Sequence, residues 1–383
     1  MRTYAILLAV TVAGCARTAP IPPITLPFPA DTTRDETIAP GVVHRYIRSS
    51  TGPWAIHALD VDLSRCYSAV AVKGGSSAAG RRKTSDLLND LRATSEVIGG
   101  VNADFFSLSG YQGIPTGALI TKGRVMVGPY SQPVLAIDSA GSPRALVLST
   151  VGAITTRGAT RRVNGWNRPA PAGLAVYDAS WGAVLDTATG VVEVIVEGRS
   201  PARVVRVDTS LAGAAIPRDG SVIIAGRTAS DETKAWARAL APGDTLRIAL
   251  ALAPFHPMEA VGGRPMLARD GAIAPEVDTE GQVSFRNRNP RTAVGIANDG
   301  KRLILVVVDG RQAGYSAGMT LRELATLMLA LGARDAINLD GGGSSALVHW
   351  SPDDRRLRVA NKPSDANGER AVGNALGVVK GCR

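Results

Sequence analysis

The 383-residue sequence is poor in histidine, cysteine, aromatic residues and lysine, and each scarcity excludes a class of protein. Its four histidines show neither the H-E-x-x-H spacing nor the spacing of a zinc-finger array, so both kinds of site are excluded. Three cysteines are too few for a disulfide-scaffold protein. With 45% hydrophobic and 20% charged residues, the chain is typical of a globular protein with a sizeable core.

The net charge of +10 comes almost wholly from arginine, since 36 of the 43 basic residues are Arg and only 7 are Lys. The arginines are scattered along the chain, with a few adjacent pairs and no run of five. Proteins that bind nucleic acids concentrate positive charge on one patch. We therefore predict that nucleic acid is not a partner.

The N-terminal residues have the pattern of an export signal. Arg2 precedes an apolar run over residues 4–12, which is shorter than the roughly 20 residues of a membrane-spanning helix. Residues 12–15 (VAGC) resemble a bacterial lipobox, in which the cysteine is lipidated. We predict a lipoprotein signal over residues 1–14 and an exported protein that is anchored to the membrane through Cys15. Ala16 favours the outer membrane, facing the periplasm or the cell surface; the alternative is an ordinary signal peptide with a chance cysteine.

Composition divides the remaining chain into two parts. Residues 15–40 are rich in proline and threonine, which predicts a semi-rigid tether, and residues 41–383 are expected to form one large domain. If Cys15 is lipidated, Cys66 and Cys382 remain. An exported protein enters an oxidising compartment, so we predict a disulfide between these two cysteines, the alternative being two unpaired thiols.

The hydrophobic patterns predict an α+β (mixed α/β) fold, in which a mixed β-sheet is flanked by helices in a single large domain. Its most distinct part is a C-terminal βαβ unit. Residues 302–308 (RLILVVV) form a continuous apolar run, which favours a strand buried on both faces. Thr320 and Glu323 have the spacing of a capping box at the start of a helix, and residues 335–339 predict a second strand. The two strands are expected to be parallel.

Polar residues follow three of the predicted strands. The C-terminal ends of parallel strands share one edge of a sheet, and open α/β sheets bind ligands outside those ends. The glycines after Asp340 would let the backbone approach a ligand closely, and successive N–H groups there can bind an anion; the alternative is a purely structural turn. The sequence therefore predicts one cleft lined by Asn102, Asp104, Asp309, Arg311, Asp340 and residues 341–345 (GGGSS).

Carboxylates and arginines are the groups in this cleft that suggest chemistry. Asp309 and Asp340 are a candidate pair for glycosyl transfer to water, which normally uses two carboxyl groups. They are also common turn residues, and a divalent metal (Ca²⁺ or Mg²⁺) between them is a further alternative. Arg291 and Arg311 lie at strand ends, and their planar guanidinium groups match phosphate or carboxylate. Nothing in the sequence requires a cofactor.

Ordered motifs over roughly residues 85–379 resemble the phosphodiester glycosidase family, which includes the uncovering enzyme that removes N-acetylglucosamine from a phosphodiester. The motifs are residues 101–106 (VNADFF), 113–117 (GIPTG), 288–296 (RNPRTAVGI), 308–311 (VDGR), 318–325 (GMTLRELA), 338–345 (NLDGGGSS) and 361–365 (NKPSD).

The resemblance implies hydrolysis of a sugar-1-phosphodiester in a cell-envelope or environmental glycan. The expected catalytic residues are Asp309, Asp340 and Asp104. The expected substrate-binding residues are Asn102, Thr116, Arg291, Arg311, Gly341, Gly342, Ser344, Arg370 and Asn374, of which the last two match a terminal motif that closes the site. The alternatives are a non-catalytic glycan-binding or envelope-assembly lipoprotein and a metal-dependent phosphodiesterase.

Overall fold

The structure, a computed structural model, describes residues 24–74, 77–182, 185, 190–210, 213–297 and 300–382. The predicted signal and Cys15 lie outside the described residues. Strands predominate in these ranges, and the helices are short, with four to ten residues each. The fold is therefore dominated by β-sheet, and the predicted α+β class with flanking helices fits it only in part. None of the described helices has the length and apolar character needed to cross a membrane.

The strands of the described residues are, in chain order, β1 (Thr32–Ala39), β2 (Val42–Ser49), β3 (Trp54–Asp62), β4 (Tyr67–Val72), β5 (Glu96–Asn102), β6 (Leu119–Thr121), β7 (Arg124–Val127), β8 (Pro133–Ile137), β9 (Pro143–Val147), β10 (Ser149–Thr156), β11 (Ala159–Trp166), β12 (Leu174–Asp178), β13 (Gly190–Glu197), β14 (Ala202–Asp208), β15 (Gly220–Gly226), β16 (Thr245–Ala253), β17 (Glu259–Gly262), β18 (Met266–Arg269), β19 (Ala272–Ile273), β20 (Arg291–Ala297), β21 (Arg302–Val308), β22 (Asp335–Asn338), β23 (Leu347–Ser351), β24 (Arg356–Val359) and β25 (Ala375–Lys380). The helices are α1 (Thr84–Leu91), α2 (Asp231–Arg238), α3 (Glu276–Thr279), α4 (Val283–Arg286) and α5 (Leu321–Ala330).

An eight-stranded sheet in the order β1-β2-β3-β21-β20-β22-β18-β19 forms the centre of the fold. All seven residues of β21 are buried, which confirms the expectation of a strand covered on both faces. Ile304, Val306 and Val308 pack with α5 on one face. Leu303 and Leu305 pack on the other face against the sheet that contains β5. Helix α5 begins with the predicted capping box of Thr320 and Glu323.

The predicted βαβ unit is present with one difference. Strands β21 and β22 run in the same direction, and α5 connects them, as expected. They are not neighbours, because β20 lies between them and is antiparallel to both. Both C-terminal ends still reach one edge of the sheet, where the first residue of β20, Arg291, lies opposite Val308.

Two five-stranded sheets and one closed barrel complete the fold. Strand β5 belongs to the sheet β24-β23-β5-β25-β4, not to the sheet of β21 and β22 as the prediction of a single sheet implied. Leu87 and Leu88 of α1 cover its outer face. The other five-stranded sheet has the order β7-β6-β17-β8-β9. Strands β10 to β16, residues 149–253, close into a seven-stranded barrel whose interior is filled by apolar side chains.

The predicted tether ends earlier than Pro40. Residues 32–39 form β1, which pairs with β2 along its whole length at the edge of the central sheet. Ile24, Leu26 and Phe28 pack against the core around α5. The prolines of this region led to the prediction of an extended tether. Residues 32–39 (TTRDETIA) nevertheless form a strand, because they pair with β2. The boundary at residue 40 was therefore wrong for residues 24–39.

The predicted disulfide between Cys66 and Cys382 is present. Cys66 directly precedes β4 and Cys382 follows β25, and these two strands pair in antiparallel register from Tyr67 to Lys380. The disulfide therefore closes the open end of a strand pair whose members are more than 300 residues apart in the sequence.

Replacing both Cys66 and Cys382 with serine should lower the free energy of unfolding by about 2–5 kcal/mol, because the cross-link restricts the unfolded chain. Urea denaturation of the oxidised protein and of the double variant measures the difference. Reductant should destabilise the wild type to the level of the variant and leave the variant unchanged. Equal stability of the oxidised wild type and the variant would contradict the prediction.

Candidate functional site

Polar residues at the ends of three strands lie along one edge of the central sheet. Asp309 follows β21, Arg291 begins β20, and Asp340 follows Leu339 beyond the end of β22. The register places Arg291 opposite Val308 and Ala293 opposite Asn338, so these positions lie at the same end of adjacent strands. The sequence prediction that Asp309 and Asp340 share one sheet edge is therefore correct, with Arg291 placed between them.

The side chain of Asn102 connects this edge to the second sheet. Asn102 is the last residue of β5 and is fully buried. Its Nδ2 donates to the carbonyl oxygen of Asp340 at 2.6 Å. Its Oδ1 accepts from Thr292 Oγ1 at 2.8 Å and from the backbone N–H of Ala346 at 3.0 Å. Asn102 therefore fixes the two ends of the glycine-rich loop relative to the central sheet.

The loop after Asp340 makes one tight turn over Gly342–Ser344. Gly342 has φ +61°, in the left-handed region that glycine adopts without strain. A Cβ at Gly342 would meet the guanidinium of Arg311, and one at Gly343 would collide with the ion pair of Asp365 and Arg370. The glycines therefore let two arginines approach the loop backbone.

Two serines follow these glycines, and both side chains are buried. The hydroxyl oxygens of Ser344 and Ser345 have no hydrogen-bond partner among the described residues. The Ser344 hydroxyl is nevertheless close enough to Asp340 to favour its ionised form. Ser344, which the sequence analysis placed in the cleft, therefore lies beside Asp340.

The carboxyls of Asp104 and Asp340 both have raised pKa values, and the charge of Asp340 acts on Asp104. Burial raises the pKa of Asp104 to about 7, and the charge of Asp340 contributes in the same direction. Burial raises the pKa of Asp340 to about 6, opposed by the Ser344 hydroxyl and the charge of Arg370. Asp340 keeps part of its surface exposed, whereas Asp104 is fully buried, so only Asp340 of the two is open to solvent.

The carboxyl of Asp104 is held in a cage of small residues. The Gly117 N–H donates to its Oδ2 at 2.6 Å, and Thr116 Oγ1 lies at 3.4 Å from its Oδ1. A Cβ at Gly117 or Gly262 would press on this carboxyl. The Asp104 backbone N–H donates to Asn374 Oδ1 at 2.9 Å. Thr116 and Asn374, which the family resemblance named, are therefore both neighbours of Asp104.

Asp309 differs from this pair because protein groups already surround its carboxylate. It accepts hydrogen bonds from Tyr315 OH at 3.0 Å, Asn361 Nδ2 at 2.9 Å and the Lys362 N–H at 3.0 Å. Burial raises its pKa, and the Asn361 and Lys362 donors oppose that shift. Neither Asp340 nor Asp104 is among the groups that shift the pKa of Asp309. The charge of Asp340 acts on Asp104, and the catalytic pairing of Asp309 with Asp340 stays a prediction.

The three candidate arginines have different environments. Arg291 is buried, and its Nε and Nη2 donate to backbone carbonyl oxygens, including that of Met319 at 2.8 Å. Burial and the charge of Arg311 lower the pKa of Arg291 to about 10. Arg311 is exposed, with its Nη2 3.0 Å from Asn289 Oδ1 and a backbone φ of +60°. The last, Arg370, pairs with Asp365 at 2.9 Å. Arg311 and Arg370 are thus the more accessible of the three.

Sequence reasoning missed several residues around the carboxyls. Arg168, in the loop between β11 and β12, donates to the carbonyl oxygens of Gly117 and Gly128 at 2.7 Å, and its charge lowers the pKa of Asp104. Tyr315 and Asn361 hold Asp309. Asn361 and Asp365 both lie in the NKPSD motif, which could have indicated them. Nothing in the sequence around Arg168 distinguishes it from the other arginines.

The predicted divalent metal would need grouped ligands at Asp309 and Asp340. Within the described ranges, no group of three His, Cys, Asp or Glu side chains forms there; such a group forms at Glu36, His44 and His349. A Ca²⁺ or Mg²⁺ ion at the carboxyls therefore stays a prediction. A separate cavity of about 760 Å³ near Trp166, Arg199 and Arg218 shares no lining residue with the candidate site.

Comparison with known families identifies the C-terminal half of the chain. The family model described as phosphodiester glycosidase matches residues 189–379. These residues belong to the phosphodiester glycosidase family. Arg291, Asp309, Asp340 and Arg370 lie inside the matched range, whereas Asn102, Asp104 and Thr116 precede it. The phosphodiester glycosidase match is thus shorter than the predicted extent of residues 85–379.

Three relatives show how far the likeness extends. A hypothetical protein from Synechocystis superimposes with a TM-score of 0.75 and 24% identity over 92% of this chain, which covers 64% of that protein. A putative exported protein from Burkholderia pseudomallei gives a TM-score of 0.65 and 26% identity over 86% of this chain and 74% of its own. The uncharacterized prophage-derived protein YomE from Bacillus subtilis is 43% identical over 58 residues, which are 15% of this chain and 9% of YomE. This chain therefore spans less than two thirds of the Synechocystis protein and of YomE.

Replacing Asn102 with alanine should lower the free energy of unfolding by about 3–5 kcal/mol, because it leaves three buried hydrogen-bonding groups without a partner. Thr292→Val removes one of the three bonds and is the graded control, with an expected loss of about 1 kcal/mol. Chemical denaturation measures both. A cost for Asn102→Ala no larger than that for Thr292→Val would show that Asn102 does not connect the sheets.

The raised pKa of Asp104 predicts that stability decreases as pH rises. The unfolded chain releases this proton near pH 4 and the folded protein near pH 7, so in this window the folded state binds more protons than the unfolded state. The effect is on the order of a few kcal/mol. Asp104→Asn should remove it, and the exposed control Asp353→Asn should keep it. Unfolding measured at several pH values gives the slopes; unchanged slopes in Asp104→Asn would contradict the prediction.

Proposed function

We propose that this protein hydrolyses the glycosidic bond of a sugar-1-phosphodiester, with Asp340 and Asp104 as its two carboxyl groups. The observation that carries the proposal is the pair itself: Asp340, which directly precedes the glycine-rich loop and is partly exposed, acts on the buried Asp104, and their pKa values are raised to about 6 and about 7. The family match supports the same class of bond.

The different environments of the two carboxyls suggest different roles. Glycosidases commonly use one carboxyl that holds a proton and one that is ionised, and their surroundings separate the two pKa values. Burial raises the pKa of both carboxyls, so both hold a proton more readily than an exposed aspartate. Because Asp340 keeps exposed surface and Asp104 is fully buried, we assign Asp340 as the carboxylate that acts at the anomeric carbon, as nucleophile or base, and Asp104 as its proton-holding partner.

The phosphate of the substrate needs positive charge on the open side of Asp340. Arg311 lies over Gly342, and Arg370 is close enough to lower the pKa of Asp340. Guanidinium groups bind phosphate oxygens through parallel hydrogen bonds. We assign Arg311 and Arg370, with the backbone of Gly341 and Gly342, to the phosphate. The buried Arg291 holds Met319 and the segment of residues 284–287, so it supports the cleft from beneath.

Asp309 serves as a positioning residue in this scheme. Its carboxylate holds Asn361, and Asn361 Nδ2 also donates to the carbonyl oxygen of Ser345 at 3.1 Å. Through Asn361, Asp309 therefore determines where the glycine-rich loop ends. We propose this role for Asp309 instead of the catalytic role expected from the sequence.

The substrate is proposed to be a glycan of the cell envelope or of the environment. The Burkholderia relative is described as a putative exported protein, and the disulfide of this chain suits an oxidising compartment. Export by the signal of residues 1–14, followed by lipid anchoring at Cys15, would place the cleft outside the cytoplasm. Both are proposals, since these residues lie outside the described part of the chain.

Asp340→Asn and Asp104→Asn should each reduce sugar release from a sugar-1-phosphodiester by about 10²–10⁴-fold, because each removes one half of the acid–base pair. Asp353→Asn, on the exposed turn after β23, is the matched control and should keep full activity. A panel of sugar-1-phosphodiesters is incubated with each variant, and free sugar is measured together with substrate binding. Hydrolysis in ¹⁸O water should place the label on the sugar.

Three results would contradict the proposal. Binding without turnover in the wild type would indicate a glycan-binding protein. Label on the phosphate would indicate cleavage of the P–O bond, as in a phosphodiesterase. Full activity of both Asp340→Asn and Asp104→Asn would show that this pair does not perform the reaction.

A further inference from the structure

Three of the four histidines of the chain, His44, His57 and His349, meet in one buried cluster. The ring centroids of His44 and His349 are 4.6 Å apart, and those of His44 and His57 are 5.4 Å apart. All three residues are at most 7% exposed. The spacing of these histidines along the chain matches no known ligand motif, so the sequence did not indicate the cluster. The histidines belong to none of the family motifs and have no part in the proposed reaction.

We propose that Glu36, His44 and His349 form a binding site for a zinc-type transition-metal ion. Each of the three side chains offers a ligand atom, and these atoms lie within 4.8 Å of one another. Two imidazoles and one carboxylate, with an open fourth position, are a common donor set for Zn²⁺. Ligands of one tetrahedral zinc ion are about 3–3.5 Å apart, so side-chain movements of about 1 Å would complete the site.

The strand register supports this grouping independently of side-chain positions. Glu36 on β1 and His44 on β2 are direct cross-strand partners, so their side chains share one face of the sheet. His349 belongs to β23 in the other sheet. A metal ion here would therefore join the first hairpin of the central sheet to the sheet that contains β5.

Hydrogen bonds leave an unprotonated nitrogen on His349. Its Nδ1 lies 2.7 Å from the carbonyl oxygen of Trp350, and a carbonyl oxygen only accepts, so Nδ1 carries the proton. The other ring nitrogen, Nε2, is buried and has no hydrogen-bond partner among the described residues. A histidine whose second nitrogen donates to a backbone carbonyl is the usual arrangement of a metal ligand.

The same reasoning orients His44 through His57. His57 Nε2 has no hydrogen-bond partner among the described residues, but the Asp309 carboxylate lies 3.8 Å away, and its negative charge favours a proton on Nε2, which leaves Nδ1 as an acceptor. His44 Nε2, at 3.2 Å from His57 Nδ1, is then the donor. This leaves the unprotonated Nδ1 of His44 3.7 Å from the Glu36 carboxylate. The lone pairs of both imidazoles are thus available to a metal.

Glu36 gives the site its access and its charge. Its side chain is 38% exposed, so an ion can enter from solvent at this residue. The carboxylate also accepts from Arg358 Nη2 at 3.0 Å. A carboxylate has about four acceptor positions, so it can bind the metal and Arg358 together. Through His57, this site is also connected to Asp309 and hence to the end of the glycine-rich loop.

Metal content tests the proposal without any use of enzymatic activity. The full, oxidised chain without a histidine tag is dialysed against Zn²⁺, and bound zinc is measured by mass spectrometry and calorimetry. The wild type should bind one zinc ion per chain. Glu36→Gln and His349→Gln should bind zinc at least tenfold more weakly. His57→Gln should lose about 10–100-fold in affinity, because His44 loses the partner that orients it.

His256, the remaining histidine, is exposed and supplies the matched control, so His256→Gln should bind zinc like the wild type. Because His349 is fully buried, circular dichroism is used to check that His349→Gln folds. If it does not fold, the zinc affinity of Glu36→Gln tests the proposal, since the Glu36 side chain is partly exposed. Failure of the wild type to bind zinc stoichiometrically would overturn the proposal. Equal zinc affinity of Glu36→Gln and the wild type would overturn it as well.

Discussion

The buried amide of Asn102 is the interaction on which the arrangement of the site depends. Asn102 belongs to the sheet that contains β5, and its side chain forms hydrogen bonds with Thr292 of the central sheet and with the backbone of Asp340, which follows that sheet's strand β22. A buried amide loses stability when its hydrogen bonds break, so these three bonds leave the two sheets little freedom to slide at this point. Asp104, two residues further along, is therefore held against Asp340, and the two carboxyls share one desolvated environment.

The same environment explains why two similar residues, Asp309 and Asp340, differ. Both follow a parallel strand and precede glycine, and both reach the same edge of the sheet. Neighbouring donors occupy the Asp309 carboxylate, whereas Asp340 keeps an accessible surface beside Arg370. Asp309, whose carboxylate is surrounded by donors, therefore maintains the loop, whereas Asp340, which has fewer donors around it, can contact a ligand.

Local features were predictable from the sequence because their causes are local. The capping box of α5, the buried run of β21 and the polar ends of the strands all follow from neighbouring residues. The disulfide followed from the cysteine count. Features that depend on distant strands were not predictable, such as the insertion of β20 between β21 and β22 and the pairing of residues 32–39 with β2. The sequence placed Asp104 and Asp340 in one cleft but could not show that the charge of one acts on the other, and no spacing along the chain indicates the histidine cluster, which forms only where two sheets meet.

The closed barrel contributes to the candidate site as well as to the stability of its own strands. All its strands come from one continuous stretch, residues 149–253, which begins just after β9 and ends just before β17, two strands of a single sheet. Apolar side chains of its own strands fill its interior, while other barrel residues, such as Tyr177 and Ile224, pack in the core shared with the neighbouring sheets. Arg168 belongs to this stretch and places its charge near Asp104. The same stretch therefore builds a core of its own and supplies a positive charge that opposes the raised pKa of a carboxyl in the cleft.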